Sequence, residues 1–442
     1  MTSALKRTLT ARDVAVITVG TVIGSGIFLT PGGVLRNSGT VGVSMMIWLG
    51  GGILSLLGAL TYGEIGCSRP GAGGLYAYIR DAFGPVTAFV FGWTLFLVIA
   101  SGSIATLAVA AGDNLAAVTA LGEVGKKVVA VVVIGAMAVI NVRGTRSSAN
   151  ALGVATALKV GALVLLIVVL SSAGHGWSQI TTVWPARVDG PVLSGGLVAT
   201  VSVLWAYEGW QSTSYIGGEV INPQRNFPLG LVIGVAVLFV IYLLVNLGYL
   251  AALGPAGVAS STAVASESVG ALFGPRAARL VAIPVLLSII SAAHGLTLSA
   301  SRVLHTMAND GVFFAKLGEV HPRFGTPAVA IIALSTWSAV LALSGTFNTL
   351  LTYVIFVSWI FYGLGGASVI VFRRREPDLP RPMKVPGYPV TPIIFVASAW
   401  AIVVNTMIDN PQRALIGIGT ALTALPVYAF WRRRPQGSNP AT

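Results

Sequence analysis

Apolar segments long enough to cross a lipid bilayer recur along the whole chain. Twelve can be marked, at residues 13–36, 40–67, 83–112, 127–142, 148–172, 192–220, 228–253, 276–308, 327–344, 347–372, 391–409 and 413–431. Hydrophobic residues make up 55% of the sequence and charged residues only 9%. A segment in hydrocarbon must satisfy its own backbone hydrogen bonds, which favours the α-helix. The sequence therefore predicts an all-α integral membrane protein with twelve transmembrane helices in a lipid bilayer.

The basic residues indicate how these segments are oriented. An even number of segments places both termini on one side, and if that side is the cytoplasm, nineteen of the 27 Lys and Arg lie inside and seven outside. One more, Lys159, falls within a segment. This asymmetry predicts a plasma (inner) membrane protein with both termini in the cytoplasm. The formal net charge of +13 then reports topology and does not indicate a nucleic-acid partner.

Few residues in the chain suit enzyme chemistry or a metal site. Cys67 is the single cysteine, so an intrachain disulfide is excluded, and the four histidines are scattered without metal-ligand spacing. No serine lies in a Gly-x-Ser-x-Gly frame, and no polar linker divides the chain. We therefore expect one membrane domain over residues 1–442, with no enzyme activity, no cofactor and no metal.

Two apolar segments are interrupted by residues that disturb a helix. The first contains Gly24 and Gly26 on either side of Ser25, and glycine frees the backbone to unwind. The sixth contains Trp205-Ala206-Tyr207-Glu208-Gly209, which puts an acid at mid-membrane. The breaks are five segments apart, which predicts two five-helix halves in an inverted repeat, at about 13–172 and 192–372, followed by two additional helices at about 391–431. A shared binding site at the breaks is expected.

Ordered motifs carry a family resemblance. Gly24-Ser-Gly-Ile-Phe28, Tyr62-Gly-Glu-Ile-Gly66 and the stretch from Pro70 to Tyr78 resemble the amino acid, polyamine and organocation (APC) transporter superfamily. The stretches 218–228, 375–377, 381–386 and 425–428, with Ser301-Arg302, are similar to its L-type amino acid transporter branch, in a prokaryotic-like form. The resemblance runs from about residue 8 to residue 432, with Gly218 as a departure where many members have a glutamate. It implies a LeuT-type fold with discontinuous helices 1 and 6.

The residues of the two breaks predict a clamp for a zwitterion. Free N–H groups of Ser25, Gly26 and Ile27 suit a carboxylate. Carbonyls near the breaks suit an ammonium group, and the predicted substrate-binding set is Val22, Ile23, Gly24, Ser25, Gly26, Ile27, Trp205, Ala206 and Glu208. Close helix packing is the other interpretation of Gly24 and Gly26.

The resemblance also implies roles for single side chains. Trp205 occupies the place of a bulky aromatic gate over the substrate, and a tryptophan closes a pocket with few rotatable bonds. Lys159 occupies the place of a sodium ion in sodium-coupled relatives, bridging to segment one and to hydroxyls such as Ser288 or Ser291. A lysine snorkelling to the cytoplasmic surface is the alternative. Tyr242 matches a family tyrosine near the site, and Ser103 and Ser358 are candidates for its lining.

Glu208 leaves the substrate class open. It can recognise a cationic side chain, carry a proton or serve a structural hydrogen bond. A low-dielectric site disfavours an unpaired carboxylate beside a neutral substrate, so a neutral substrate requires Glu208 to be protonated or bonded elsewhere.

The resemblance implies a sodium-independent amino acid transporter, and we expect an antiporter that exchanges neutral L-amino acids by alternating access. A proton-coupled symporter of cationic or neutral amino acids or of polyamines is the first alternative, and a non-transporting membrane sensor that binds an amino acid is the second. Animal L-type light subunits use a cysteine after segment three, and residues 113–127 contain none. A disulfide-linked ancillary subunit is therefore not expected.

Overall fold

A computed structural model of the chain describes residues 7–117, 119–187 and 189–432. Lys6, Arg433 and Arg434, three of the basic residues counted for the orientation, lie outside the described residues. The described chain forms helices and one isolated β-bridge between Leu9 and Val220. The prediction of an all-helical protein is confirmed.

The helices follow one another with short connections. They are α1 Ala11–Val22, α2 Gly26–Leu29, α3 Pro31–Ser38, α4 Val41–Ser68, α5 Leu75–Phe83, α6 Pro85–Thr94, α7 Ala100–Ala116, α8 Glu123–Val142, α9 Thr145–Ala173, α10 Gly190–Ala206, α11 Pro223–Ser260, α12 Val264–Phe273, α13 Pro275–Leu280, α14 Ala282–Asn309, α15 Ala328–Ser344, α16 Phe347–Arg375, α17 Val390–Asp409, α18 Pro411–Leu422 and α19 Ala424–Arg432. A π-helical turn at Leu95–Ile99 joins α6 to α7, and 3₁₀ segments lie at Gly176–Gln179, Trp210–Glu219 and Ala315–Gly318.

Ten helical stretches among the described residues are long and apolar enough to cross a membrane. They correspond to ten of the twelve predicted segments. The other two predicted segments form α8, with 20 residues, and α15, with 17 residues. The membrane character is confirmed, and the count of twelve spans stays a prediction.

Several boundaries differ from those read in the sequence. The segment predicted at 228–253 lies within α11, which has 38 residues and is kinked at Gly254, where φ is 65°. Pro255 follows the kink and has no N–H to donate, so the regular hydrogen-bond ladder stops there. A run of hydropathy cannot locate such a kink, because the residues on both sides of it are apolar.

Small residues bring the core helices close together around α1. Helix α1 packs against α9, α11 and α14. A methyl group added at Gly20 would lie 2.4 Å from the Thr156 hydroxyl oxygen, and one at Gly234 would lie 2.8 Å from Thr18 Cβ. These contacts hold the first break in the middle of the helix bundle.

Ion pairs join the C-terminal ends of α4, α14 and α16 to neighbouring segments. The Glu64 carboxylate, at the end of α4, accepts from Arg373 Nε at 2.7 Å and from the Val385 N–H at 2.6 Å. Arg302 of α14 donates from Nε to the Glu219 carboxylate at 2.8 Å, and both side chains are buried. These ends lie on the side that the charge distribution predicts to be cytoplasmic.

Candidate substrate site at the two helix breaks

The first break separates α1 from α2. Helix α1 ends at Val22, and Ile23 is extended, with φ −69° and ψ 91°. The first backbone hydrogen bonds after the break run from Phe28 and Leu29 to the Ser25 carbonyl, at 3.2 and 3.1 Å. The N–H groups of Ser25, Gly26 and Ile27 precede these bonds, and within the described residues no bond from them to another backbone group is present. Three donors therefore lie together at the start of α2.

The second break lies directly beside the first. Helix α10 ends at Ala206, and Gly209 takes a φ of 120° before the 3₁₀ segment at Trp210–Glu219 begins. A methyl group added at Gly26 would lie only 2.5 Å from Ala206 Cα. Gly26 is thus required by the close approach of the two broken helices.

The contacts of Lys159 connect α9 to the first break and to α14. Its side chain is fully buried, so the snorkelling alternative does not describe this structure. Its ammonium donates to the carbonyls of Gly20 at 2.5 Å and Ile23 at 2.7 Å, and to the Ser291 hydroxyl at 2.8 Å. The lysine therefore holds carbonyls on both sides of the position where α1 ends.

Ser288 of α14 binds two carbonyls of the first break. Its hydroxyl lies 2.9 Å from the Ile23 carbonyl and 3.2 Å from the Gly24 carbonyl. The Ile23 oxygen thus serves both Lys159 and Ser288, which uses its two lone pairs. The Ile23 oxygen is therefore already engaged in this structure, and its role as an acceptor for a substrate ammonium stays a prediction.

Val22 and Tyr242 form the next contact along the break. The Tyr242 hydroxyl donates to the Val22 carbonyl at 3.3 Å, and the ring is buried against Tyr207 and Trp48. A carbonyl oxygen has two lone pairs, so the Val22 oxygen keeps one acceptor position beyond this bond. Tyr242 therefore orients a carbonyl at the break.

Trp205 spans the two breaks. Its indole Nε1 donates to the Ser25 hydroxyl at 3.4 Å, and 5% of the residue is exposed. The ring comes from the last turn of α10 and reaches the residue that begins the second half of the first segment. The predicted gate residue and the predicted carboxylate site are thus in contact.

The carboxylate of Glu208 is held by two side chains that sequence reasoning missed. Its Oε1 accepts from Gln211 Nε2 at 2.6 Å and from the hydroxyl of Tyr362, and Gln211 also donates to the Tyr362 oxygen at 2.5 Å. Gln211 follows Glu208 by three residues, a spacing that could have suggested the pair. Tyr362 comes from α16, and only the tertiary packing brings it here.

Ser103 and Ser358 are buried, but among the described residues neither hydroxyl is hydrogen-bonded to a residue of the two breaks. The Ser103 hydroxyl donates to the Ile99 carbonyl at 2.7 Å, within the turn that precedes it. Ser358 lies one turn before Tyr362 on α16. The structure therefore brings the glycine-rich break, Lys159, Trp205, Glu208 and Tyr242 together more directly than these two serines.

A cavity of about 600 Å³ ends next to the breaks. It is lined by Leu29, the last residue of α2, by Thr30 and by Ser202, which lies one turn before Trp205 on α10. The Thr30 hydroxyl also donates to the Gly26 carbonyl at 2.9 Å. The cavity thus lies beside α2 and near the end of α10, on the side away from the ion pairs of Glu64 and Arg302.

Comparison with known proteins identifies the family. The amino acid permease family model matches residues 9–430. The chain belongs to the amino acid permease family. It is 32% identical over 405 residues to the b(0,+)-type amino acid transporter 1 of Mus musculus, covering 89% of this chain and 81% of that protein. It is 31% identical to the Homo sapiens cystine/glutamate transporter, covering 98% and 87%, and 29% identical to the Bacillus subtilis serine/threonine exchanger SteT, covering 98% of each.

The family membership fixes the broad function of this permease. The resemblance to the APC superfamily and its L-type branch is confirmed. The chain is a multi-pass membrane protein of a family that transports amino acids, and its relatives are transporters and not enzymes. The geometry at the two breaks can then be considered as the place where an amino acid binds.

Proposed function

We propose that this permease is a sodium-independent exchanger of neutral L-amino acids that works by alternating access. It has twelve transmembrane helices in a LeuT-type arrangement of two inverted five-helix halves, with both termini in the cytoplasm. The substrate binds between the breaks at Ile23–Ser25 and Tyr207–Gly209. The buried position of Cys67 supports a transporter without a disulfide-linked partner.

The observation that carries sodium independence is the position of the Lys159 ammonium. Its Nζ is fully buried and donates to two carbonyls of the first segment and to a hydroxyl of α14. Carbonyl and hydroxyl oxygens are the ligands that a hard cation such as sodium also prefers, by analogy with other hard cations. A covalently attached cation in this position removes the need for a dissociable one.

The two breaks supply complementary groups for a zwitterion. The N–H groups of Ser25, Gly26 and Ile27, which have no backbone acceptor, bind the carboxylate at the start of α2. The ammonium group is received by the Val22 carbonyl and by the Ala206 carbonyl, which lies at the end of α10 where helical carbonyls lack partners. Trp205, whose indole donates to the Ser25 hydroxyl, closes the pocket over the substrate.

The contacts of Glu208 support a neutral substrate. Gln211 and Tyr362 already donate to its carboxylate, so the group does not need a cationic side chain as a partner. The name of the serine/threonine exchanger, which matches along almost the whole chain, supports both exchange and small neutral substrates.

Uptake into proteoliposomes tests this proposal. Labelled L-serine is offered to vesicles that are empty or preloaded with unlabelled L-serine, in sodium or choline buffer, with and without a pH gradient. Exchange predicts faster uptake into preloaded vesicles and the same rate in both buffers. Sodium stimulation, or uptake without any effect of preloading, would contradict the proposal.

Proton-coupled symport is a second candidate, favoured by the presence of Glu208 beside a break. A carboxylate hydrogen-bonded to a tyrosine and a glutamine is a group that can accept a proton between two states of a transporter. Uptake into empty vesicles driven by an inward proton gradient, and abolished in Glu208→Gln, would support symport over exchange.

A further inference from the structure

A groove of about 710 Å³ lies between α1, α9 and α11, apart from the cavity beside α2. Helices α9 and α11 are both long and apolar enough to cross a membrane. Three of the residues that line the groove are apolar and exposed, namely Val154, Ile233 and Val237. The groove is therefore open toward the hydrocarbon of the bilayer.

The charged residues of the groove all lie at one end. Arg12 and Asp13 belong to the first turn of α1, and Arg146 belongs to the first turn of α9. The other lining residues are uncharged, and on α9 those beyond Asn150 are Gly, Val, Thr and Ala only. The groove thus has a polar mouth, on the predicted cytoplasmic side, and an apolar interior.

The length of the groove matches one leaflet of a bilayer. Its lining on α9 extends from Arg146 to Val160, which at 1.5 Å per residue is about 21 Å. One leaflet with its headgroup region is about 20–22 Å thick. A phospholipid with its headgroup at Arg146 would therefore extend along the whole groove.

The two arginines at the mouth have donors for a ligand. Arg12 is exposed, and within the described residues its side chain takes part in no hydrogen bond or ion pair. Arg146 donates from Nη1 to the Asp13 carboxylate at 3.0 Å and to the Thr8 carbonyl at 3.1 Å, which orients the guanidinium while Nε and Nη2 stay available. Two arginines face one acid, so the mouth keeps a net positive charge. Guanidinium groups suit the oxygens of a phosphate.

We propose that this groove binds an anionic phospholipid, with its phosphate at Arg12 and Arg146 and an acyl chain along α9 and α11. Basic pockets between transmembrane helices on the cytoplasmic side suit anionic headgroups. A free phosphate ion would use the arginines but not the apolar interior, and a lipid without net charge would leave the positive mouth without a counter-charge. Lipid binding here does not depend on the substrate or on the mode of transport.

The bound lipid connects the first half of the broken segment to α9. Thr156 and Val160 line the groove on either side of Lys159, whose ammonium holds the carbonyls at the end of α1. The Thr156 hydroxyl lies 3.5 Å from the Val16 carbonyl of α1. A ligand that binds the folded protein across these helices raises its stability by mass action.

Lipid titration of the purified full-length protein in detergent tests the proposal. Bound phosphatidylglycerol or phosphatidylcholine is counted by native mass spectrometry, and the melting temperature is measured at each lipid concentration. We expect phosphatidylglycerol to bind more tightly and to raise the melting temperature more. Arg12→Gln should weaken its binding about fivefold and Arg12→Gln with Arg146→Gln about 25-fold, while binding of phosphatidylcholine stays unchanged.

A second variant tests the apolar interior. A methyl group added at Gly153 would meet only Val16 Cγ1, at 3.7 Å, so Gly153→Leu fills part of the groove without displacing a helix. It should weaken phosphatidylglycerol binding about tenfold, the effect of displacing roughly two methylenes of the chain. Arg225 is the matched control, because it is exposed in the first turn of α11 and does not line the groove. Arg225→Gln should bind phosphatidylglycerol as the wild type does.

Three results would overturn the lipid site. The first is equal binding of the two lipids by the wild type, and the second is unchanged phosphatidylglycerol binding in the double arginine variant. The third is competition by inorganic phosphate together with normal binding in Gly153→Leu, which would identify a site for a soluble anion. Each of these results would leave the proposed exchange of amino acids intact.

Discussion

Gly26 and Gly24 lie two residues apart in the first break, and we expect replacement by alanine to impair transport at Gly26 but not at Gly24. A methyl group at Gly26 would lie 2.5 Å from Ala206 Cα and 2.8 Å from Ala206 Cβ. A methyl group at Gly24 would lie 3.1 Å from Leu107 Cδ2 and 3.3 Å from Ala292 Cβ. A side chain at Gly26 would therefore push the two broken helices apart.

The size of the effect on the transport rate follows from the distance by which α2 and α10 must separate. Two carbon atoms in ordinary contact are about 3.5–4.0 Å apart, so Gly26→Ala must move α2 and α10 apart by roughly 1 Å. The obstructing atom belongs to the backbone and cannot rotate away. A displacement of about 1 Å in a substrate site costs on the order of 100-fold in rate, whereas the flexible end of Leu107 can shift by a few tenths of an ångström.

Exchange of labelled L-serine provides the assay. We expect Gly26→Ala to lower the initial rate at least tenfold and Gly24→Ala to stay within about twofold of wild type. The amount of protein in the membrane, measured by a fluorescent tag, normalises both variants. Normal exchange by Gly26→Ala, or equal loss in both variants, would refute the argument that the contact with Ala206 positions the site.

Three further predictions concern the charged residues. Lys159→Ala should lose exchange at least tenfold while reaching the membrane, since the buried Gly20 carbonyl loses its lysine donor and the Ile23 carbonyl keeps only Ser288. Wild-type uptake should be equal in sodium and choline, and a sodium-stimulated wild type would contradict this. Alanine, serine, leucine, arginine and lysine are each tested as competitors of labelled L-serine, and Glu208→Gln should change competition by alanine and serine less than about threefold. If arginine or lysine competes best with the wild type and loses this effect in the variant, the neutral assignment is overturned. Arg302→Ala should lower the free energy of unfolding by about 3–5 kcal/mol, because it leaves Glu219 buried and unpaired, and the melting temperature in detergent should fall. Arg146→Ala removes an exposed ion pair and should cost no more than about 1 kcal/mol. Equal melting temperatures of the two variants would count against this reasoning.

The helical class and the two breaks could be predicted because both are local properties of the sequence. Long apolar runs report membrane helices, and Gly24 and Gly26 interrupt one of them at a visible place. The kink at Gly254 was missed, because hydropathy stays high on both sides of it. The division of the third segment by a π-helical turn at Leu95–Ile99 was missed for the same reason.

From the sequence, only those features of the candidate site could be predicted that are visible within one apolar segment. The breaks, Lys159 and Trp205 stand out as polar or bulky exceptions within apolar runs. The partners of Glu208 did not stand out, because a tyrosine such as Tyr362 is unremarkable in a membrane helix until packing brings it to a carboxylate. The partners of the Ile23 carbonyl could not be predicted for a related reason, since only the three-dimensional structure shows that Lys159 and Ser288 donate to it.

The ion pairs and the cavity lie on opposite sides of the breaks, and this asymmetry bears on exchange. Separating a buried pair such as Arg302 and Glu219 is costly, because each charge must then be solvated again or find another partner. A substrate can offset that cost only by binding more tightly in the state in which the pairs are separated than in the state with the cavity open. Without substrate, the cost would remain uncompensated and the protein would stay in the state with the cavity open. A transporter whose binding site changes sides only when a substrate is bound carries one substrate inward for each one outward. Buried ion pairs on one side of the site therefore favour exchange over net uptake.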